Sequence, residues 1–158
     1  MNAIKTVMIT FVLFVFSFGL VTASELATKE EVVQKCMEVG KIISTKGVDE
    51  AIRQVNDTSG AFVWKDTYVY LMDLEATILA HGPQPKFIGK NLMGLKDPIT
   101  KKPWYPALYK KIRAGANSGW FDYHWKKPNA KGVYVKNCYY ERHGDVVIFS
   151  GIYGEKVK

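Results

Sequence analysis

Tyr68-Val69-Tyr70-Leu71-Met72-Asp73-Leu74-Glu75-Ala76-Thr77-Ile78-Leu79-Ala80-His81-Gly82 is the stretch whose reading decides the fold. Aromatic and β-branched residues fill both arms and the polar break falls between them, which predicts two short strands joined by a tight turn at 73–76. The second arm ends on His81, where the chain leaves the sheet for a loop rich in Gly and Pro. A side chain able to bond a ligand is thereby delivered to a corner of the sheet.

C-terminal to the hairpin, residues 82–102 carry Gly82, Pro83, Pro85, Gly89, Gly94 and Pro98, too many breakers for a regular element to persist. So long a loop inside a compact domain is either a functional lid or a packed Ω-loop covering one end of the core. Residues 103–113 then predict a short helix with Ala107, Leu108 and Ile112 on its apolar side and Gly115 past its end. Residues 120–125 alternate as a strand does: Phe121, Tyr123 and Trp125 share one face, and Trp120, Asp122 and His124 share the other. After a turn at 126–132, residues 133–141 and 146–153 predict two further strands joined by Arg142-His143-Gly144-Asp145.

Towards the N-terminus, Thr28-Lys29-Glu30-Glu31 is a capping box, and Val32, Val33, Cys36, Val39 and Ile43 follow at helical spacing until Gly47. A second short helix is expected over 48–55 and a brief strand over 61–64. The order is helix, helix, three strands, loop, helix, three strands. Its economical packing is an α+β domain: a central antiparallel β-sheet with a long N-terminal helix and a short helix between strands.

The 158 residues suit one domain with one core. The formal net charge of +7 is spread along the chain, as on a solvated Lys-rich surface, and does not by itself choose among nucleic acid, an anionic membrane surface and an acidic small molecule. Residues 7–21 form an uncharged apolar run after Lys5, and Val21-Thr22-Ala23 supplies the small residues a signal peptidase prefers. Residues 1–23 are read as a signal peptide cleaved before Ser24, with an uncleaved anchor as the alternative, and 24–158 as the domain. Either way the domain is expected outside the cytoplasm, periplasmic or secreted, and touches a membrane only if the first segment is retained. There Cys36 and Cys138 can pair, and two buried free thiols explain them equally well.

The motifs of metalloproteases, serine hydrolases, phosphate-binding loops, dithiol redox centres and haem attachment are missing, so no catalytic residue, metal site or cofactor is predicted. Aromatic and basic residues interleave at 125–127 and 134–136, a pattern that serves single-stranded nucleic acid, but export and the lack of a reader motif argue against it. A surplus of amphipathic aromatics falls on the strands, including Tyr68, Tyr70, Tyr123, Trp125 and Tyr139. Buried phenols and indoles need polar partners, and hydroxyl-bearing walls with a Lys and a His nearby would suit a small anion. Lys136 is the candidate charge for a carboxylate, with an exposed strand residue as the alternative.

Phe62, Tyr68-Val69-Tyr70, Leu79-Ala80-His81-Gly82, Gly89-Lys90-Asn91-Leu92, Lys96-Asp97, Gly119-Trp120, Asp122-Tyr123, Trp125, Pro128, Lys136, Tyr139, Glu141-Arg142 and Gly151-Ile152-Tyr153 together resemble, in order and spacing, single Cache domains of the exported stand-alone kind. The resemblance implies a PAS-like sheet behind a long N-terminal helix and a pocket for a small, often carboxylate, ligand bound without turnover. It also implies signalling through a membrane-bound partner; the alternative function is an exported protein-interaction module whose aromatic surface docks a membrane-bound sensor or another exported protein. Carried over by position, Tyr68, Tyr70, His81, Tyr123, Trp125, Lys136 and Tyr139 are the ligand-binding candidates. Lys136 and Tyr139 lie three apart, so either a bulge intervenes or only one of them lines the pocket. The chain departs from the family pattern at Ala76, where Gly is usual, and at Asp97-Pro98-Ile99-Thr100-Lys101, which lacks the Gly of Asp-x-x-Gly-Lys.

Overall fold

The computed structural model describes residues 26–128 and 130–157; the expected signal or anchor at 1–23 lies outside them. No described helix is long and apolar enough to cross a membrane. Helix α1 (Lys29–Lys46) opens on the expected capping box: the Glu31 amide donates to Thr28 Oγ1 at 3.2 Å while the Thr28 amide donates to the Glu31 carboxylate at 3.0 Å. Gly47, at φ 90°, closes α1 and leads into α2 (Val48–Asn56).

The hairpin forms as read. Strand β1 (Val63–Trp64) pairs with β2 (Thr67–Tyr68), the chain breaks at Val69, and β3 (Tyr70–Asp73) turns back into β4 (Ile78–His81). Ala76 takes a left-handed φ of 65°, a cost on the order of 1 kcal/mol against Gly. The turn holds because Asp73 Oδ1 accepts from the amides of Glu75 at 2.9 Å and Thr77 at 2.7 Å. The loop pattern that lacks its Gly places the positive φ on Lys101, at 61°.

Helix α3 (Tyr105–Arg113) starts two residues after Pro103, with Pro106 in its first turn. Strands β5 (Ser118–Lys126), β6 (Val133–His143) and β7 (Val146–Lys156) run longer than their apolar patterns suggest, because pairing between neighbours carries them past their last apolar residue. The five-stranded antiparallel sheet has the order β4-β3-β7-β6-β5, so β7 is central and β5 is an edge.

Each face of the sheet buries a different chemistry. Helices α1 and α2 cover one face with Cys36, Val39, Ala51 and Val55 over Leu71, Ala80 and Ile148. The other face, under α3 and the loop that follows β4, is aromatic: Tyr70, Tyr105, Tyr109, Tyr123, Tyr140 and Phe149. At the crossing of α1 and β6, Gly40 lies so close to the His143 ring that a Cβ there would clash.

Candidate functional site

Lys136 lies on β6 facing the aromatic side, between Tyr123 on β5 and Tyr153 on β7, its cross-strand partners. It is fully buried, which removes the exposed-strand alternative. Its Nζ sits 4.4 Å from the centre of the Tyr68 ring, 4.8 Å from that of Tyr153 and 5.9 Å from that of Tyr70. Among the described residues it has no hydrogen-bond partner and no salt bridge.

Burial works against the ammonium, and what raises its pKa is attraction to Tyr123, Tyr153, Tyr68 and Cys138 in their ionised forms. For Tyr123, Tyr153 and Cys138 those forms are scarce at neutral pH. Burial pushes the Tyr123 and Tyr153 hydroxyls well up and the Cys138 thiol to about 11. What remains around the charge is the negative faces of neutral rings, a cation–π cage without a counter-ion.

His81 is placed by two backbone devices. Its amide donates to Asn56 Oδ1 at 2.9 Å, and Gly82 beside it lets the strand approach the Val55 carbonyl so closely that a Cβ would come within 2.9 Å of that oxygen. His81 is 5% exposed, and burial, with Lys136 nearby, holds its pKa down to about 4. At neutral pH it is therefore uncharged. Nδ1 accepts from the Gln84 amide at 3.2 Å, so the proton sits on Nε2 and the ring is a donor.

These groups surround a narrow cavity whose sheet wall is Tyr68, Tyr70, His81, Tyr123 and Trp125, with Ile78 below. The opposite wall is Phe87, Leu92, Leu95 and Trp104 from the loop and Tyr105 from α3. Tyr70 and Tyr105 join the walls through their hydroxyls at 3.2 Å, and Trp104 stacks on Tyr123 with centres 4.7 Å apart. The cavity volume open to the centre of a water molecule is about 20 Å³, room for one. Lys136 is behind the Tyr68 ring, not on the cavity surface, and among the described residues no acidic side chain lines the cavity.

Of the seven residues expected at the site, the structure brings Tyr68, Tyr70, His81, Tyr123 and Trp125 to the cavity wall and Lys136 directly behind it. Tyr139 is elsewhere. No bulge separates it from Lys136 on the β5 side, so it points to the helix face, where its ring lies 5.3 Å from Trp120 and its hydroxyl donates to Glu141 at 3.4 Å. Sequence reasoning missed Trp104, Tyr105, Phe87 and Tyr153. Tyr153 had a signal: a two-residue turn at Gly144-Asp145 pairs His143 with Val146, and counting back places Tyr153 opposite Lys136. Phe87 and Trp104 lie in a loop whose path no periodicity encodes, and that loop also sets where Tyr105, the first residue of α3, arrives.

Of the two explanations for the cysteines, the fold selects free thiols. Both are buried, Cys36 under the helices and Cys138 on the aromatic face, so the sheet separates them. Among the described residues no cluster of His, Cys, Asp and Glu is placed to hold a metal.

The family model described as "Single Cache domain 2" matches residues 31–158. No curated protein matches the chain. Among solved structures, a methyl-accepting chemotaxis protein from Vibrio parahaemolyticus RIMD 2210633 matches with a TM-score of 0.64 and 24% identity, over 79% of this chain and 87% of that one. A periplasmic sensor domain of a chemotaxis protein matches at 0.56 and 23%, over 80% and 90%. A Cache chemosensory domain, described with the structural basis of its carboxylic acid recognition, matches at 0.60 and 17%, over 80% and 88%. At these identities the structural matches establish a shared fold.

Proposed function

Because this chain belongs to the single Cache family of extracytoplasmic sensor domains, we propose that it is an exported binder of a small monocarboxylate, which it holds without chemical change. Residues 1–23 direct export, and a membrane-bound signalling protein reads the occupied domain. The observation that carries the ligand class is the Lys136 ammonium, buried among neutral rings without a counter-ion. An anion supplies that counter-charge, and a carboxylate does so with hydrogen bonds of about 1.5–3 kcal/mol each.

The rest of the cavity narrows the class. With His81 neutral and, among the described residues, no acid on the walls, there is one positive charge to satisfy and no counter-charge for an α-ammonium. A dicarboxylate would bury an unpaired charge, and an amino acid an unpaired ammonium. The aromatic and aliphatic walls suit a short apolar tail. The present space is smaller than any carboxylate, so binding turns the Tyr68 ring or moves the loop wall, bringing the anion to Lys136. The carboxylic acid recognised by one related Cache domain agrees with this reading.

A thermal-shift comparison of sodium acetate and propionate with succinate, glycine and alanine tests it. A ligand at a hundred times its Kd adds about 2.7 kcal/mol. Stabilisation by the monocarboxylates, lost in Lys136→Met, is the expected result. Equal stabilisation by the amino acids, or none by any carboxylate, removes the reading.

A further inference from the structure

The loop wall of the cavity divides into two parts that are attached to the sheet in different ways. Its first part is stitched to the hairpin by backbone: Gly89 donates to Ile78 at 2.8 Å, Ile78 to Lys90 at 3.0 Å and Leu92 to Ala76 at 2.8 Å. The second part, residues 96–103, is closed on itself. Lys96 bridges Pro103, Asp97 donates to the Lys102 carbonyl at 3.0 Å, and Lys101 donates back to Asp97 at 2.9 Å. Leu95 and Trp104, the feet of this small hairpin, are cavity wall residues.

Among the described residues, every hydrogen bond that ties this hairpin to the sheet runs through one carboxylate. Asp97 Oδ2 accepts the His124 amide at 2.8 Å, and the His124 ring Nδ1 lies 3.0 Å from the same oxygen and 3.1 Å from Oδ1. β5 is the edge strand, so this amide has no neighbouring strand to pair with, and Asp97 takes that place. Oδ1 also accepts from Ile99 and Thr100 at 2.8 Å each, shaping the hairpin's own turn. One side chain thus both folds the hairpin and fastens it.

We propose that residues 96–103 are a flap over the cavity, latched by the Asp97 carboxylate to the edge of β5 at His124, and that release of this latch admits the ligand. Lifting the flap carries Leu95 and Trp104 off the aromatic floor, where Trp104 stacks on Tyr123, and widens a space with room for a single water. Burial works against the Asp97 charge, but the amides of Thr100, His124 and Ile99 and the His124 ring outweigh it and hold the carboxyl at about 2. The latch is therefore charged at all physiological pH, and it opens by local fluctuation of a segment that, among the described residues, no other hydrogen bond ties to the sheet, against the packing of Leu95 and Trp104 at its feet.

The flap and its latch stand on this geometry alone; that the ligand is a monocarboxylate rests on the reading above. Asp97→Asn separates the two roles of the side chain, since its amide oxygen still accepts from Ile99 and Thr100 while its NH2 faces the His124 amide. Hydrogen exchange followed by NMR without ligand is expected to show the His124 amide exchanging at least tenfold faster in this variant, with the amides of Cys138 and Ser150 in the central strands unchanged. Sodium acetate, followed by NMR line exchange, is expected to leave the variant at least tenfold faster than the wild type. A His124 amide as protected as before overturns the latch, as does a rise shared equally by Cys138 and Ser150, which marks global loosening. Faster His124 exchange with unchanged acetate release overturns the flap as the entry route. If acetate fails to bind the wild type, the exchange arm still decides the latch and the monocarboxylate reading falls instead.

Discussion

Lys136→Met is expected to make the protein more stable and less able to bind. In the native fold the ammonium has lost its water, and the effective cost for a buried ion is several kcal/mol. The Tyr68 and Tyr153 rings, at 4.4 and 4.8 Å, return on the order of 2 kcal/mol each at desolvated positions. Replacing buried charges by apolar groups of similar volume commonly stabilises by about 1–4 kcal/mol. Methionine has the reach of the Lys stem, and its sulfur packs well against aromatic rings. A gain of about 1–3 kcal/mol follows, a rise of roughly 3–10 °C in Tm for a domain of this size. Loss of one charge-assisted hydrogen bond of about 1.5–3 kcal/mol weakens acetate about 10- to 150-fold. Urea unfolding and calorimetric titration on the same preparation read both effects. A Tm that falls by several degrees would show that the fold already compensates the ammonium, and a raised Tm with unchanged acetate affinity would remove Lys136 from the site.

His81 makes stability depend on pH in a definite direction. The folded state keeps the ring neutral down to about pH 4 while the unfolded chain takes up its proton near 6.5, so this contribution is full above pH 6.5 and is lost as pH falls towards 4. The loss is about 3 kcal/mol, at about 1.4 kcal/mol per pH unit; unfolding measured across pH 4–7 in wild type and His81→Phe should show it shrink in the variant, and equal slopes would contradict the buried neutral ring. Gly151→Ala should cost about 1–3 kcal/mol or more, because its Cβ would meet the Asn137 carbonyl oxygen at 2.5 Å and Cys138 Cα at 2.8 Å, backbone of the central strands that cannot turn aside. A denaturation curve matching wild type would contradict that packing. Both thiols should be silent to a thiol reagent in the folded protein and react together on unfolding without a reductant; a requirement for reductant would reveal a disulfide.

The parts of the fold written in the sequence are those governed by local rules. The capping box of α1 and the alternation of β5 each specify a conformation within a few residues. Asp73 fixes the turn so firmly that Ala76 adopts the left-handed backbone that Gly more often supplies. Face assignment is equally local: with period two, Lys136 and Tyr139 cannot share a side, and Tyr139 goes to the helices. Trp104 and Tyr105 follow a different logic. Their place over Tyr123 and Tyr70 depends on where the long connection after β4 returns to the sheet, and that path is set by Asp97 finding the edge of β5, a long-range contact without a sequence signal.

The two faces of the sheet show where selection for stability stops. Beneath α1 and α2 the core is Val, Ile, Leu, Ala and Phe62 with, among the described residues, no buried ionisable group beyond the Cys36 thiol. Across the same strands the chain fills its interior with phenols, an indole, a neutral imidazole and an unpaired ammonium, groups that each cost free energy to bury. Among the described residues, Trp104 Nε1 and Lys136 Nζ on this face are buried without hydrogen-bond partners. Trp64 Nε1 and Asn137 Oδ1 towards the helices are orphaned too, so what is confined to the aromatic face, among the described residues, is the uncompensated buried charge. On that face the broken rules share one remedy, since its orphaned groups are donors and the uncompensated charge is positive. A small anion bound between the sheet and the proposed flap would supply what both lack, so the same residues that lower the stability of the empty domain are those through which binding would raise it.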